Sequence, residues 1–180
     1  WALDASRAQA RFYPAIHPLN SYSQDIEVLA PFWSEVGNPQ WPVQRRRFLG
    51  LLEEQAKLER MARIVGKDAL PPRQQHVLLC AELINEAFLR QSAFSKTDRF
   101  CPAAKQAAMM KLLDRFIESS AQAVAAGADV AVINSLPVLR KLRRMGEEIE
   151  NDALEEFEAL GKKMDIAFTL LTERGSDHAG

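Results

Sequence analysis

The chain has 180 residues, 47% apolar and 26% charged, with 23 basic against 24 acidic side chains. That length suits one domain with a real core, or one domain plus a remnant of another. A near-zero net charge offers no bulk attraction for nucleic acid or an acidic membrane, and no apolar run approaches the roughly 18 residues of a bilayer span.

The start WALDASRAQARFYP is too polar for a cleavable signal segment, and an opening Trp1 suits a chain trimmed from a longer one or a cleaved tag. RFYPAIHPLN carries two prolines and closes on an Asn, which predicts an extended or looped lead-in over residues 1–20. From Ser21 the pattern turns helical. Ser21 or Ser23 can cap a helix through Ile26, Leu29, Phe32 and Trp33 that ends at Gly37. A long helix starts near Pro42, with Phe48, Leu51, Leu52, Leu58, Met61, Ile64 and Val65 recurring at three and four and Gly66 as its stop. Pro71 and Pro72 open the next helix, which carries Val77, Leu79, Leu83, Ile84, Ala87 and Phe88 to about Gln91. QSAFSKTDRFCP is a polar connector with Phe94 inside it. Pro102 opens a helix with Met109, Met110, Leu112, Leu113, Phe116 and Ile117, closing at Gly127. VAVINSLP, the basic helix PVLRKLRRM and an acidic helix from about Asn151 to Leu171 follow, and residues 173–180 read as a disordered tail. The expectation is an all-α bundle over residues 21–172 with a non-helical lead-in.

Chemistry-bearing patterns are scarce. His17, His76 and His178 stand singly, so no metal site is expected. G-x-x-x-x-G-K-[ST], G-x-S-x-G and H-E-x-x-H do not occur, so no catalytic residue is named. Glu53, Glu54, Glu59, Glu82 and Glu86 read as solvated helix faces. Arg45, Arg46 and Arg47, and the run Arg140, Lys141, Arg143, Arg144, read as solvated charge, the second neutralised by Glu147, Glu148, Glu150, Glu155, Glu156 and Glu158. Cys80 and Cys101 fit two reduced thiols, with a disulfide left open. Two aromatics belong to no helical stripe: Tyr13 in the lead-in and Phe94 in the connector. Each is either a plug over the bundle end or a ligand contact.

WALDASRAQARFYPAIHPLNSYS resembles the segment by which V/A-type ATPase catalytic A subunits leave their nucleotide-binding domain, typically FW-x-LD and RRHFPAINWL-x-SYS. It is also similar to the YPAVDPLDS segment of F-type catalytic beta subunits. LAPFW, IVGKDALPP, LRQSAFSKTDRFC and SLPV continue the V/A resemblance through about Met145. The chain departs from the V/A pattern in ARFY for RRHF and IHPL for INWL, and GEEIENDALEEFEALGKKMD lies past the resemblance.

The resemblance implies the helical C-terminal domain of a catalytic A subunit of a proton- or sodium-translocating ATP synthase/ATPase, with the P-loop, catalytic glutamate and Mg²⁺ ligand upstream. Alone, such a chain is expected to be inactive and to hold no cofactor; ATP or ADP with Mg belongs to the intact subunit. Tyr13 and Phe94, with Ala93 beside it, match the family's positions that flank adenine, each aromatic contributing about 0.5–1.5 kcal/mol beyond area burial. Asp68, Ala69, Leu70, Pro71, Pro72, Arg73 and Gln74 match by position the acidic turn of F-type beta subunits that touches the rotor. With two prolines, an arginine and one acid, a stiff tip is expected here rather than a charged one. Implied partners are the chain's own upstream nucleotide-binding domain, the non-catalytic B subunit and the central-stalk rotor subunit, in a cytoplasmic head peripheral to the membrane. A hinge is expected near Ile16 to Ser23. The alternative is a stand-alone helical interaction module with no nucleotide role.

Overall fold

Prolines, glycines and capping side chains set many of the element edges. The computed structural model describes residues 2–9, 11–21, 26–92 and 94–176, with side chains described as far as residue 173. Among them are eight α-helices: α1 Ala5–Gln9, α2 Ile26–Glu35, α3 Trp41–Val65, α4 Pro72–Ile84, α5 Ala103–Ala125, α6 Val130–Ser135, α7 Pro137–Glu148 and α8 Leu154–Ser176. A 3-10 turn, Lys67–Ala69, lies between α3 and α4, and α4 runs on into a π-helical turn, Asn85–Leu89. No strand occurs among the described residues, only an isolated antiparallel bridge between Leu3 and Ile16. The fold is the expected all-α bundle.

The lead-in is not wholly extended, because it contains α1. Asp4 Oδ1 accepts the N–H groups of Ser6 (2.8 Å) and Arg7 (3.2 Å), which is how a helix N-cap works. The segment then folds back on itself, Asp4 donating to the Ala15 carbonyl and His17 to that of Ala2.

α4 is the central rod. Every residue from His76 to Ala81 is buried, with Leu83 and Ile84, so the middle of the helix is covered on all sides, as in the middle of a bundle. α3 packs on one side of it and α5 on another, and α8 packs on α5. Phe116 of α5 meets Phe168 of α8 with ring centroids 5.6 Å apart. α7 splits cleanly: Val138, Leu139, Leu142 and Met145 are buried, whereas Arg140, Lys141 and Arg144 are exposed. A small second cluster, Leu58, Leu70, Val77 and Leu78, closes the α3–α4 hairpin.

Two expected apolar faces are only partly covered. In α2, Ile26 and Trp33 pack on the core, Trp33 stacking on Trp41 at 5.4 Å, while Leu29 and Phe32 face outward. In α3 the stripe is buried or partly buried through Leu58, but Met61, Ile64 and Val65 are exposed. Periodicity shows that a face is apolar without showing what covers it. The acidic helix continues to Ser176, past the expected end at Leu171. Residues 177–180 of the expected tail lie outside the described residues.

Candidate functional site

The lead-in is laid across the end of α4 by contacts that begin in its own sequence. Arg7 sits on the inward side of α1, and its Nη1 donates to Asn85 Oδ1 (3.0 Å) in the π-turn. Asn85 Nδ2 donates in turn to Gln55 Oε1 of α3 (3.1 Å) and to the Ala81 carbonyl (3.0 Å). Burial pulls the Arg7 guanidinium below its ordinary range, and the Asp4 carboxylate works against that. Phe12 lies beneath two guanidinium groups, Arg7 at 5.2 Å and Arg90 at 5.8 Å from the ring centroid, a cation–π clamp between lead-in and bundle. The Tyr13 carbonyl accepts from the Gln91 N–H at 2.7 Å, which ties the lead-in to the start of the connector. The Tyr13–Pro14 peptide is cis.

The two aromatics singled out by sequence thus sit on segments joined by a backbone hydrogen bond, three residues before Phe94. Both rings face solvent: Tyr13 is 54% exposed and Phe94 fully so. Ala93 lies outside the described residues. Beneath the lead-in is a cavity of about 530 Å³ lined in part by Asp4, Arg7, His17, Glu59, Glu82 and Glu86. Glu59, Glu82 and Glu86 are half-buried there, less open than the solvated faces expected, while Glu53 and Glu54 are exposed as expected.

The described part of the expected hinge is braced. His17 Nδ1 accepts the N–H groups of Leu19 and Asn20, both at 3.2 Å, which leaves the neutral ring's proton on Nε2, 3.8 Å from Asp4 Oδ2. Ser21 Oγ donates to the His17 carbonyl at 2.7 Å and accepts from Ala2 N–H at 3.2 Å. The Ser6 hydroxyl, donating to Asp4, is the main influence holding that carboxyl below its usual range. Tyr22 and Ser23 lie outside the described residues.

At the other end of α4, Asp68 to Gln74 forms the tip of the α3–α4 hairpin. Gly66 takes φ +88°, a turn that suits glycine. Leu70 is buried in the small cluster, and Gln75 Nε2 donates to the carbonyls of Leu70 (2.7 Å) and Asp68 (3.2 Å), while Lys67 pairs with Glu82. Asp68, Ala69, Pro71, Pro72 and Arg73 are left exposed, and Gln74 is half-buried.

Elsewhere charge is paired both within and between helices. Arg47 meets Asp114 at 2.7 Å, and Arg144 meets Glu148 at 3.0 Å and Glu147 at 4.0 Å. Arg143, expected to be met by the acids after it, reaches Glu86 instead at 3.3 Å, joining α7 to the π-turn. His76 is buried beside Ser120 and Cys80. Cys80 and Cys101 are free thiols, and burial pushes Cys80 up to about 12. Among the described residues no three His, Cys, Asp or Glu side chains are grouped to hold a metal, and no helix is long and apolar enough to cross a membrane.

Sequence reasoning missed Asn85, Asp98 and Lys105. Asn85 and Asp98 carry no pattern of their own. Lys105 did leave a signal: it stands at four, seven and eleven residues before Met109, Leu112 and Phe116, on the buried side of α5.

The family described as the C-terminal domain of V and A type ATP synthase matches residues 31–133. The chain is 40% identical over 171 residues to the A subunit of the A-type ATP synthase of Thermococcus onnurineus, covering 91% of this chain and 29% of that protein. Its counterpart in Thermococcus kodakarensis is 38% identical with the same coverage, and that of Methanococcus vannielii is 39% identical over 145 residues, 81% of this chain and 25% of that protein. The chain thus spans under a third of the length of these curated relatives. With a fold to match and more than half its length inside the family's bounds, the chain belongs to the C-terminal domain family of V/A-type ATP synthases, as the C-terminal region of an A subunit.

Proposed function

We propose that this domain supplies the adenine-side wall of a V/A-type ATPase nucleotide pocket and passes the pocket's closure to the central stalk. The observation that carries the reading is the Gln91-to-Tyr13 hydrogen bond, which lays two solvent-facing aromatic segments side by side at one end of α4. A purine is a flat π surface, and two aromatic walls hold it with little directional bonding. Two such contacts alone leave a nucleotide held at about millimolar or worse, so the phosphates and Mg²⁺ would be gripped by the upstream nucleotide-binding domain.

The coupling half rests on α4. The connector leaves one end of this rod, and the proline-stiffened tip Asp68 to Gln74 stands at the other, on the order of 20 Å away at 1.5 Å per residue. Closing on adenine would swing the tip against a rotor subunit, beside the B subunit, in a cytoplasmic head peripheral to the membrane. Since the lead-in is docked and residues 16–21 are braced, lead-in and bundle would move together and flexing would fall outside that stretch.

The test is Tyr13→Ala in the full-length subunit. Its ATP affinity should fall about two- to tenfold with the melting temperature nearly unchanged. A lowered melting temperature with unchanged ATP affinity would make Tyr13 a structural plug.

A further inference from the structure

A side chain as exposed as Phe94 has no packing of its own to place it, so its position is set by the backbone that carries it. That backbone hangs on one buried cation. Lys105, the third residue of α5, is 0% exposed. Its Nζ donates to the carbonyls of Ile149 (2.6 Å), Gly146 (2.8 Å) and Thr97 (3.3 Å) and to Asn151 Oδ1 (3.1 Å). A buried ammonium persists only where its donors are satisfied, and here they are. Gly146 and Ile149 lie at the end of α7, where the negative end of the helix dipole favours a cation. Thr97 belongs to the connector, so the same ammonium holds both.

The surrounding bonds follow the same plan. Thr97 Oγ1 donates to the Glu147 carbonyl (2.7 Å), and Asn151 Nδ2 to the Phe100 carbonyl (2.9 Å). The Asp98 carboxylate accepts the Ser92 N–H, while Asp98 N–H donates to Ser95 Oγ at 3.3 Å. Gly146 lets α7 come this close, for a Cβ there would stand 3.1 Å from Asp98 Oδ1. After Phe94, Thr97 and Phe100 are therefore anchored to the α7–α8 junction, and before it Ser92 is tied to Asp98, next to Thr97, with Lys105 at the centre.

We propose that Lys105 is a positioning residue for the nucleobase wall: through the connector it sets where Phe94 stands, and so how tightly an adenine nucleotide is held, without touching the nucleotide. This deepens the adenine-wall reading above and rests on it.

The experiment is steady-state ATP hydrolysis by the assembled ATPase carrying full-length subunits with Phe94→Ala, Lys105→Met, or both. Phe94→Ala should raise KM for ATP about two- to tenfold. Lys105→Met should raise KM by about twofold or more with kcat within about twofold. The double variant should be no worse than Phe94→Ala alone, because a connector without its ring has nothing left to position. Unchanged KM in Lys105→Met beside a raised KM in Phe94→Ala would overturn the role of Lys105 and leave the wall standing, as would single effects that multiply. Unchanged KM in Phe94→Ala would bring down the wall and this inference with it. If Lys105→Met fails to assemble, Thr97→Val, which cuts the bond to Glu147, and Asn151→Ala, which cuts those to Lys105 and Phe100, are read by the same KM-against-kcat criteria.

Discussion

His76 is buried between α4 and α5, its Nε2 2.8 Å from Ser120 Oγ and 3.2 Å from Cys80 Sγ, while Ser120 Oγ donates to the Phe116 carbonyl at 2.7 Å. Burial holds this ring below the ordinary histidine range, so the folded chain favours the neutral form. The unfolded chain takes up that proton near pH 6.5, the ordinary value. Between the two values the unfolded state binds more protons, so the contribution is full above about pH 6.5 and is lost as pH falls toward the folded-state value. Urea unfolding of the chain at pH 7.5 and 5.5 should give lower stability at 5.5, and His76→Gln should shrink that difference. An equal pH dependence in the variant would assign the effect to other groups. Lys105, a lysine near a helix start, reads as solvated surface, and only its register with Met109, Leu112 and Phe116 hints that it points inward.

Among the elements, the long helices were legible because apolar residues recur at three and four and proline or glycine marks their ends. α1 was not, since the prolines of RFYPAIHPLN overshadowed the Asp4 cap just before them. The outward turns of Leu29 and Phe32 in α2, and of Met61, Ile64 and Val65 in α3, were illegible for a different reason: an apolar stripe records that a face is fit to be covered, and the cover can be another chain. Replacing Asp68 to Gln74 with a short Gly/Ser turn removes Leu70 from the small cluster and both prolines from the tip. In the assembled motor, torque or the coupling of hydrolysis to ion movement should drop, while ATP affinity stays within about twofold, because α4's far end is untouched. Unchanged coupling would remove the tip from the mechanism. The folded chain itself should lose about 2–5 kcal/mol on urea unfolding, the range for emptying a buried leucine site.

At the scale of the whole molecule, one largely buried helix runs between two solvent-facing ends, the segments that carry Tyr13 and Phe94 and the turn Asp68 to Gln74. Composition and periodicity fixed the class of fold, and family resemblance gave Tyr13 and Phe94 a meaning that spacing alone could not. What only the three-dimensional arrangement supplied is how that end is built: the Phe12 clamp, the π-turn that receives Arg7, and the buried ammonium behind the connector. These are contacts between residues tens of positions apart, and no local pattern encodes them. The most direct measurement compares binding of MgATP and of Mg-tripolyphosphate, which lacks the base, to full-length subunit with both Tyr13→Ala and Phe94→Ala. The account predicts that MgATP affinity falls about five- to a hundredfold, as two lost aromatic contacts imply, while tripolyphosphate affinity holds within about twofold. Equal losses for both ligands, or no loss for either, would contradict it.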